Sequence, residues 1–318
     1  MKKLNSHIDE GKAFSNRIKQ RIKKGFVPDL QNLKTCNYFY KSFWRHPDFA
    51  KLYVGEISKF YVNYFKKNLH KKAKILDLGC GPGYFSLELA RAGFSVIAID
   101  ISKEAIASAK KTLLNLKKEK NLKIEYFCSD LKGLNYKNEF DGVLCSGFLH
   151  HIKNIKNISK LIYNSMKKNG SLLIYEPQHK EWKKFDAFLV LFLRQIFKKL
   201  NMWHDKKMKA PNNLENFKYQ LKQIHHEFCH ERDYSEKGGQ SPNDLSSDKK
   251  KILEGLKINF KLKEIRPGFS FIYRFLGGLR GAQKKLKSIS GLVASLEKFG
   301  LNEGVLSANY FYAMFKKK

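Results

Sequence analysis

Between residues 74 and 178 the chain alternates short apolar runs with amphipathic stretches, and this alternation limits the fold more than any other feature. The runs KILDLG (74–79), SVIAID (95–100), KIEYFC (123–128), DGVLCS (141–146) and SLLIYE (171–176) read as strands buried on both faces. Helical patterns fill the gaps at 84–92, 103–117 and 155–168, with Ser102 as an N-cap and Asn169-Gly170 as the stop after the third. Strand–helix alternation of this kind predicts a parallel sheet wrapped by helices.

The flanking segments divide by pattern. Residues 1–70 read as an N-terminal helical cap, with aromatics through 38–44 and with Phe60, Tyr61, Tyr64 and Phe65 on one helix face. The core follows at 71–178. Residues 179–259 form a helical insertion: an apolar helix (185–200), a polar one (213–230) and a loop rich in Gly, Ser, Pro and Asp (233–248). Residues 260–318 complete the sheet with KLKEIRP (261–267) and NYFYAMF (309–315), separated by a helix at 282–299.

A chain of 318 residues, 42% hydrophobic, can build a core without disulfides, and 25 Phe with 15 Tyr argue against disorder. The 62 basic and 29 acidic residues leave a net charge of +33. Such an excess favours nucleic acid, anionic lipid or phosphorylated metabolites. A compositional bias toward Lys, Asn, Ile and Phe explains it equally well. The five cysteines, Cys36, Cys80, Cys128, Cys145 and Cys229, make no CxxC pair, and three sit in apolar strand contexts, as in a reducing cytosolic compartment. No apolar run follows the basic N-terminus as in a secretory signal, and Phe185 to Phe197 is too short to span a bilayer. The expected location is cytoplasmic, with peripheral attachment at the inner face of the membrane as an option.

The first strand runs into Gly79-Cys80-Gly81-Pro82-Gly83 and then a helix, with Asp77 just before the turn. Glycines let a ligand approach the main chain beside free helix N–H groups. A carboxylate there would repel a pyrophosphate but suit the cationic amino end of a methionine moiety. Asp100, ending the second strand, suits ribose hydroxyls, and Asp130 after the third suits an adenine amino group.

DLGCGPG (77–83), AIDIS with Asp100, SD at 129–130, FDGVLCSGFLHHI (140–152) and KKNGSLLIYEP (167–177) together resemble the class I S-adenosylmethionine-dependent methyltransferases, small-molecule (type 11/12-like) branch. The resemblance implies an α/β, Rossmann-like, seven-stranded, mostly parallel sheet with an antiparallel last strand and helices on both faces. It also implies S-adenosylmethionine as the donor. Asp77, Gly79 and Gly81 would then line its methionine end, with Gly83 at the helix start. Asp100 and Ile101 would hold the ribose, Asp130 and Leu131 the adenine, and Ser146 and Gly147 would face the sulfonium methyl.

A hydroxyl or ammonium acceptor needs a base. His150 and His151, after the fourth strand, are the candidates, and His151 is preferred because related enzymes carry a histidine at its position. Both could instead shape the loop. Glu176, at the fifth strand's end, could touch the acceptor or orient a histidine. The position where base-amino methyltransferases carry (D/N)PP(Y/F/W) reads Cys145-Ser146-Gly147-Phe148, which disfavours base-directed chemistry. The expected reaction is methyl transfer to an O or N of a small amphipathic or lipid-linked acceptor. The alternative is an RNA methyltransferase gripping its substrate by charge.

Trp182 to Trp203 has an apolar middle, flanking Lys pairs and a Trp at each end. It reads as a lid over the acceptor, or else as a contact with an anionic membrane surface. HEFCH (226–230) matches HExxH, but with no clear third ligand it reads as a surface helix without metal. Tyr38, Tyr40 and Trp44 read as core, with donor contact as the alternative.

Overall fold

A computed structural model describes residues 6–36, 42–116, 119, 121–131, 134–229 and 248–318. Seven strands form one sheet: β1 (Lys74–Leu78), β2 (Ser95–Asp100), β3 (Ile124–Cys128), β4 (Phe140–Ser146), β5 (Met166–Pro177), β6 (Phe260–Pro267) and β7 (Tyr310–Lys317). Their order is β3-β2-β1-β4-β5-β7-β6, and β7 runs antiparallel to both neighbours. The central runs are continuously apolar because both faces are covered: Ile75, Leu76, Val143, Leu144 and Cys145 are all buried.

The helices are α1 (Ser6–Lys23), α2 (Pro47–Ala50), α3 (Glu56–Asn68), α4 (Tyr84–Arg91), α5 (Lys103–Asn115), α6 (Ile155–Ser165), α7 (Lys184–Lys199), α8 (Leu214–Cys229), α9 (Lys249–Lys257), α10 (Ile272–Phe275) and α11 (Gln283–Asn302). Side-chain caps start several of them: Ser102 accepts from the Ala105 N–H, and Asn154 from that of Asn157. On one sheet face Ile57, Tyr61 and Phe65 of α3 pack with residues of α4, α7, α8, α10 and α11. On the other, α6 and α9 cover the sheet through Ile158, Ile162, Ile252 and Leu256. Thus α9, from within 179–259, packs on the sheet.

The third core helix ends earlier than its periodicity predicts. At Ser165 the chain turns directly into β5, whose Met166 is buried opposite Phe140. Asn169, at φ 63°, is where β5 bulges and the register against β4 shifts. The stop signal was real, but it bends a strand rather than ending a helix. Cys128 also departs from expectation: it is exposed at the end of the edge strand β3. All five cysteines are free thiols.

An ion-pair cluster clamps the N-terminal segment to α4. The buried Arg91 guanidinium bonds Asp29 at 2.6 Å, Glu88 at 2.6 Å and Glu119 at 2.7 Å. No described helix is long and apolar enough to cross a membrane.

Candidate active site

The parallel strands β3, β2, β1 and β4 end on one edge of the sheet, and the strand order reverses direction between β1 and β4. Connections part there and leave a crevice, the usual ligand site of open α/β sheets. A cavity of about 970 Å³ occupies that edge.

The three glycines of the first turn do different jobs. All have left-handed φ, at 73°, 55° and 82°. A Cβ on Gly79 would strike Phe148 at 2.5 Å, and one on Gly83 would strike Tyr126 at 2.6 Å, whereas one on Gly81 would meet nothing within 4 Å. Gly79 and Gly81 line the cavity, while Gly83 starts α4 and gives its carbonyl to the Tyr126 hydroxyl. Asp100 ties this turn to the next one. Its Oδ2 accepts from the Gly81 N–H and its Oδ1 from the Ser102 N–H, both at 2.8 Å.

Asp100, Ile101, Asp130 and Leu131 line one end of the cavity, under α1, which contributes Phe14, Arg17 and Arg21. Ser146 and Gly147 line its middle; the Ser146 hydroxyl is 2.7 Å from that of Tyr61, and a Cβ on Gly147 would meet nothing within 4 Å. Neither Asp77 nor Gly83 lines the cavity, and Gly83 stands at the helix start where it was expected. Asp77 instead lies 2% exposed beneath the turn, where its carboxylate accepts from the Ser86 hydroxyl. Its position is structural: it holds the start of α4 to β1.

Burial pushes the Asp77 carboxyl up to about 7, the Ser86 hydrogen bond opposing and the Asp100 charge assisting. Glu297, which accepts from the Ile272 N–H and caps α10, is likewise pushed up to about 7 by burial. Ordinary values are 3.8 and 4.5, so between these and 7 the folded state binds protons that the unfolded chain releases. Stability therefore falls as pH rises through that window. Thermal unfolding should show a lower midpoint at about pH 8 than at about pH 5, and Asp77→Asn should flatten that slope. A profile rising over the same interval would show that these carboxyls are not the dominant titrating groups.

His150 and His151 both line the cavity, with ring centroids 3.9 Å apart. They are held differently. His150 is buried, and its Nδ1 lies 2.7 Å from the Glu176 carboxylate, which is itself 0% exposed. Glu176 also accepts from the Phe148 and Leu149 N–H groups at 2.9 and 2.8 Å, so it fastens the whole loop after β4. His151 is half-buried and packs edge-on against Phe14 of α1.

The far end is aromatic. Tyr175 stacks on Tyr310 at 5.1 Å, Tyr273 meets Tyr310 edge-on, and the Tyr53 and Tyr175 hydroxyls lie 3.4 Å apart. Burial raises the Tyr53 and Tyr175 hydroxyls well above 10, keeping them neutral. Nothing local in the sequence marks this wall, because its members come from distant segments. Trp44 joins the lining and is also core, edge-on to Tyr84; Tyr38 and Tyr40 lie outside the described residues.

The insertion contributes through α8, whose Gln223, His226 and Glu227 line the cavity, and not through α7, which has no residue there. Of 182–203, expected as a lid or else as a membrane contact, no residue lines the cavity. Trp182 and Trp203 are not surface anchors either: both are buried, and the Trp182 indole N–H donates to Ser270. Glu227 of the HExxH pattern forms a two-pronged pair with Arg194, and His230 lies outside the described residues. Among the described residues no three His, Cys, Asp or Glu cluster as a metal site.

A family model described as a methyltransferase domain matches residues 69–230. The ubiquinone biosynthesis O-methyltransferase of Rickettsia akari is 35% identical over 103 residues, covering 32% of this chain and 39% of that protein. The protein of the same name from Bradyrhizobium diazoefficiens is 29% identical over 162 residues, 50% of this chain and 61% of that one. The chain thus matches about two to three fifths of the length of these relatives. The crystal structure of the cyclase SpnF matches 98% of this chain and 96% of its own at a TM-score of 0.50 and 14% identity, a likeness of fold alone.

Proposed function

The chain belongs to the methyltransferase-domain family, within the class I S-adenosylmethionine-dependent enzymes, and from this premise we propose that it methylates an oxygen or nitrogen of a small amphipathic or lipid-linked acceptor. The observation that carries the proposal is the lining of one cavity, which joins polar strand ends, a tyrosine wall and the His150–His151 pair. Its volume lies near the top of the range for small-molecule sites, about 300–1,000 Å³, which suits a donor and an acceptor together.

The donor-side residues fit S-adenosylmethionine. Gly81 and Gly147 leave open space where a side chain would intrude, and Asp100 lines the cavity beside them. Asp100 with Ile101 would hold the ribose and Asp130 with Leu131 the adenine. Gly79 and Gly81 would meet the methionine end, and Ser146 and Gly147 the sulfonium methyl. When bound, the donor supplies a methyl group already activated on a sulfonium.

The chain's own work is alignment, exclusion of water and proton removal. His151 accepts the proton that the acceptor releases as its bond to the methyl carbon forms. His150, gripped by Glu176, positions the loop that carries His151. The tyrosine wall receives the apolar part of the acceptor. Relatives whose names include O-methyltransferase and ubiquinone biosynthesis support oxygen as the atom and a lipid-like acceptor. An acceptor of this kind partitions into lipid, so the reaction belongs at a membrane surface, on its cytoplasmic side.

Donor carrying a labelled methyl group, incubated with the protein and either a lipid extract or total RNA, should label the lipid fraction only. Label in RNA alone would replace this reading with the charge-gripped RNA alternative.

A further inference from the structure

We infer that the outer face of α7 is a docking surface for an anionic phospholipid bilayer. Phe185, Phe188, Phe192, Ile196 and Leu200 follow one another at spacings of three or four residues and are 37–53% exposed. The opposite side of the helix, with Ala187, Val190, Leu191 and Phe197, is buried in the domain. Single exposed apolar residues need no explanation, but five large ones in one stripe do.

Charge selects the occupant. Exposed Lys183 and Lys184 begin the stripe, and exposed Lys199, Lys206 and Lys207 follow its end. The one acid of α7, Asp186, is turned inward to accept from the Lys183 and Ser307 N–H groups. A second copy of this chain would bring the same lysines against themselves, whereas anionic headgroups neutralise them. A helix of 16 residues is too short to cross a bilayer, and with this stripe outward it lies along an interface.

On α11, Leu292, Leu296 and Phe299 are also exposed. The segments flanking the two helices are joined: the Ser307 N–H, after α11, bonds Asp186 of α7, and Met202–Trp203, after α7, joins Leu279–Arg280, before α11, through a β-bridge and the Arg280 N–H. The surface is also one helix from the cavity. Phe188 meets Phe217 of α8 at 6.1 Å, Arg194 forks onto Glu227, and Glu227 with Gln223 lines the cavity's acceptor side.

The purpose of this surface rests on the lipid-like acceptor, but its binding is measured without turnover. The full chain should sediment with vesicles of phosphatidylcholine mixed with phosphatidylglycerol, less at high salt, and not with phosphatidylcholine alone. Phe188→Glu with Phe192→Glu should weaken that binding about tenfold or more, while calorimetry shows unchanged affinity for S-adenosylmethionine and so an intact fold. Equal sedimentation of parent and variant overturns the inference. So does a dimer in analytical ultracentrifugation that the variant dissolves without any vesicle binding. Label reaching RNA alone, with vesicle binding intact, would sink the proposed acceptor and leave the docking surface standing.

Discussion

Asp100→Ala is expected to weaken S-adenosylmethionine binding by about a hundredfold or more, measured by calorimetry. The carboxylate accepts from the Gly81 and Ser102 N–H groups, so it shapes the glycine turn and the start of α5 before any ligand arrives. Hydrogen bonds to a charged partner are worth about 1.5–3 kcal/mol each. Losing those to the ribose alone would cost about two decades of affinity, since 1.4 kcal/mol is tenfold. Truncation also leaves the Gly81 N–H without its acceptor, and the loosened turn should add to the loss. Asp100→Asn separates the two effects. Its carbonyl can keep one backbone bond, but its amide nitrogen would face the other N–H as a second donor. Asparagine should therefore fall between alanine and the parent. Unaltered affinity in the alanine variant would remove the ribose assignment.

The residues that define the donor end were readable because chemistry and secondary structure share a signal there. A strand buried on both faces appears as an unbroken apolar run, so its last residue, where the ligand site lies, is marked by the first polar one. Asp100 and Ser146 are found that way, whereas Asp130 follows the edge strand β3, whose Glu125, Phe127 and Cys128 are exposed. Asp77 breaks the pattern because the carboxylate lies one pleat below the turn, bonded to Ser86, where a sequence motif cannot tell floor from wall. The tyrosine wall was unreadable for another reason: Tyr53 and Tyr175 meet across 122 residues of chain. The two readings of 182–203, lid or membrane contact, could not be told apart in the sequence because α7 is apolar on most of its circumference, and only the packing of Arg194, Phe197 and Trp203 shows which side faces inward. Glu176 was placed correctly at a strand end. Its role as the loop's anchor depends on the backbone N–H groups of Phe148 and Leu149, which no side-chain pattern encodes.

His151→Ala should lower kcat by about 10²–10⁴-fold, the usual contribution of a positioned base, with donor affinity unchanged. Glu176→Gln should behave differently. In place of a buried carboxylate that accepts from the His150 ring and from the backbone N–H groups of Phe148, Leu149 and His150, it puts one acceptor and one amide donor in the same space. Leaving a buried donor without its acceptor costs about 1–3 kcal/mol, so this variant should lose melting temperature as well as turnover. The contrast distinguishes the two histidines. If His151 is the base, its alanine variant keeps its melting temperature and loses rate, while His150→Ala loosens the loop and lowers both. If His151→Ala keeps full turnover while a stably folded His150→Ala loses it, the Glu176–His150 pair is itself the base. The buried histidine then takes the acceptor's proton, with His151 reduced to packing against Phe14.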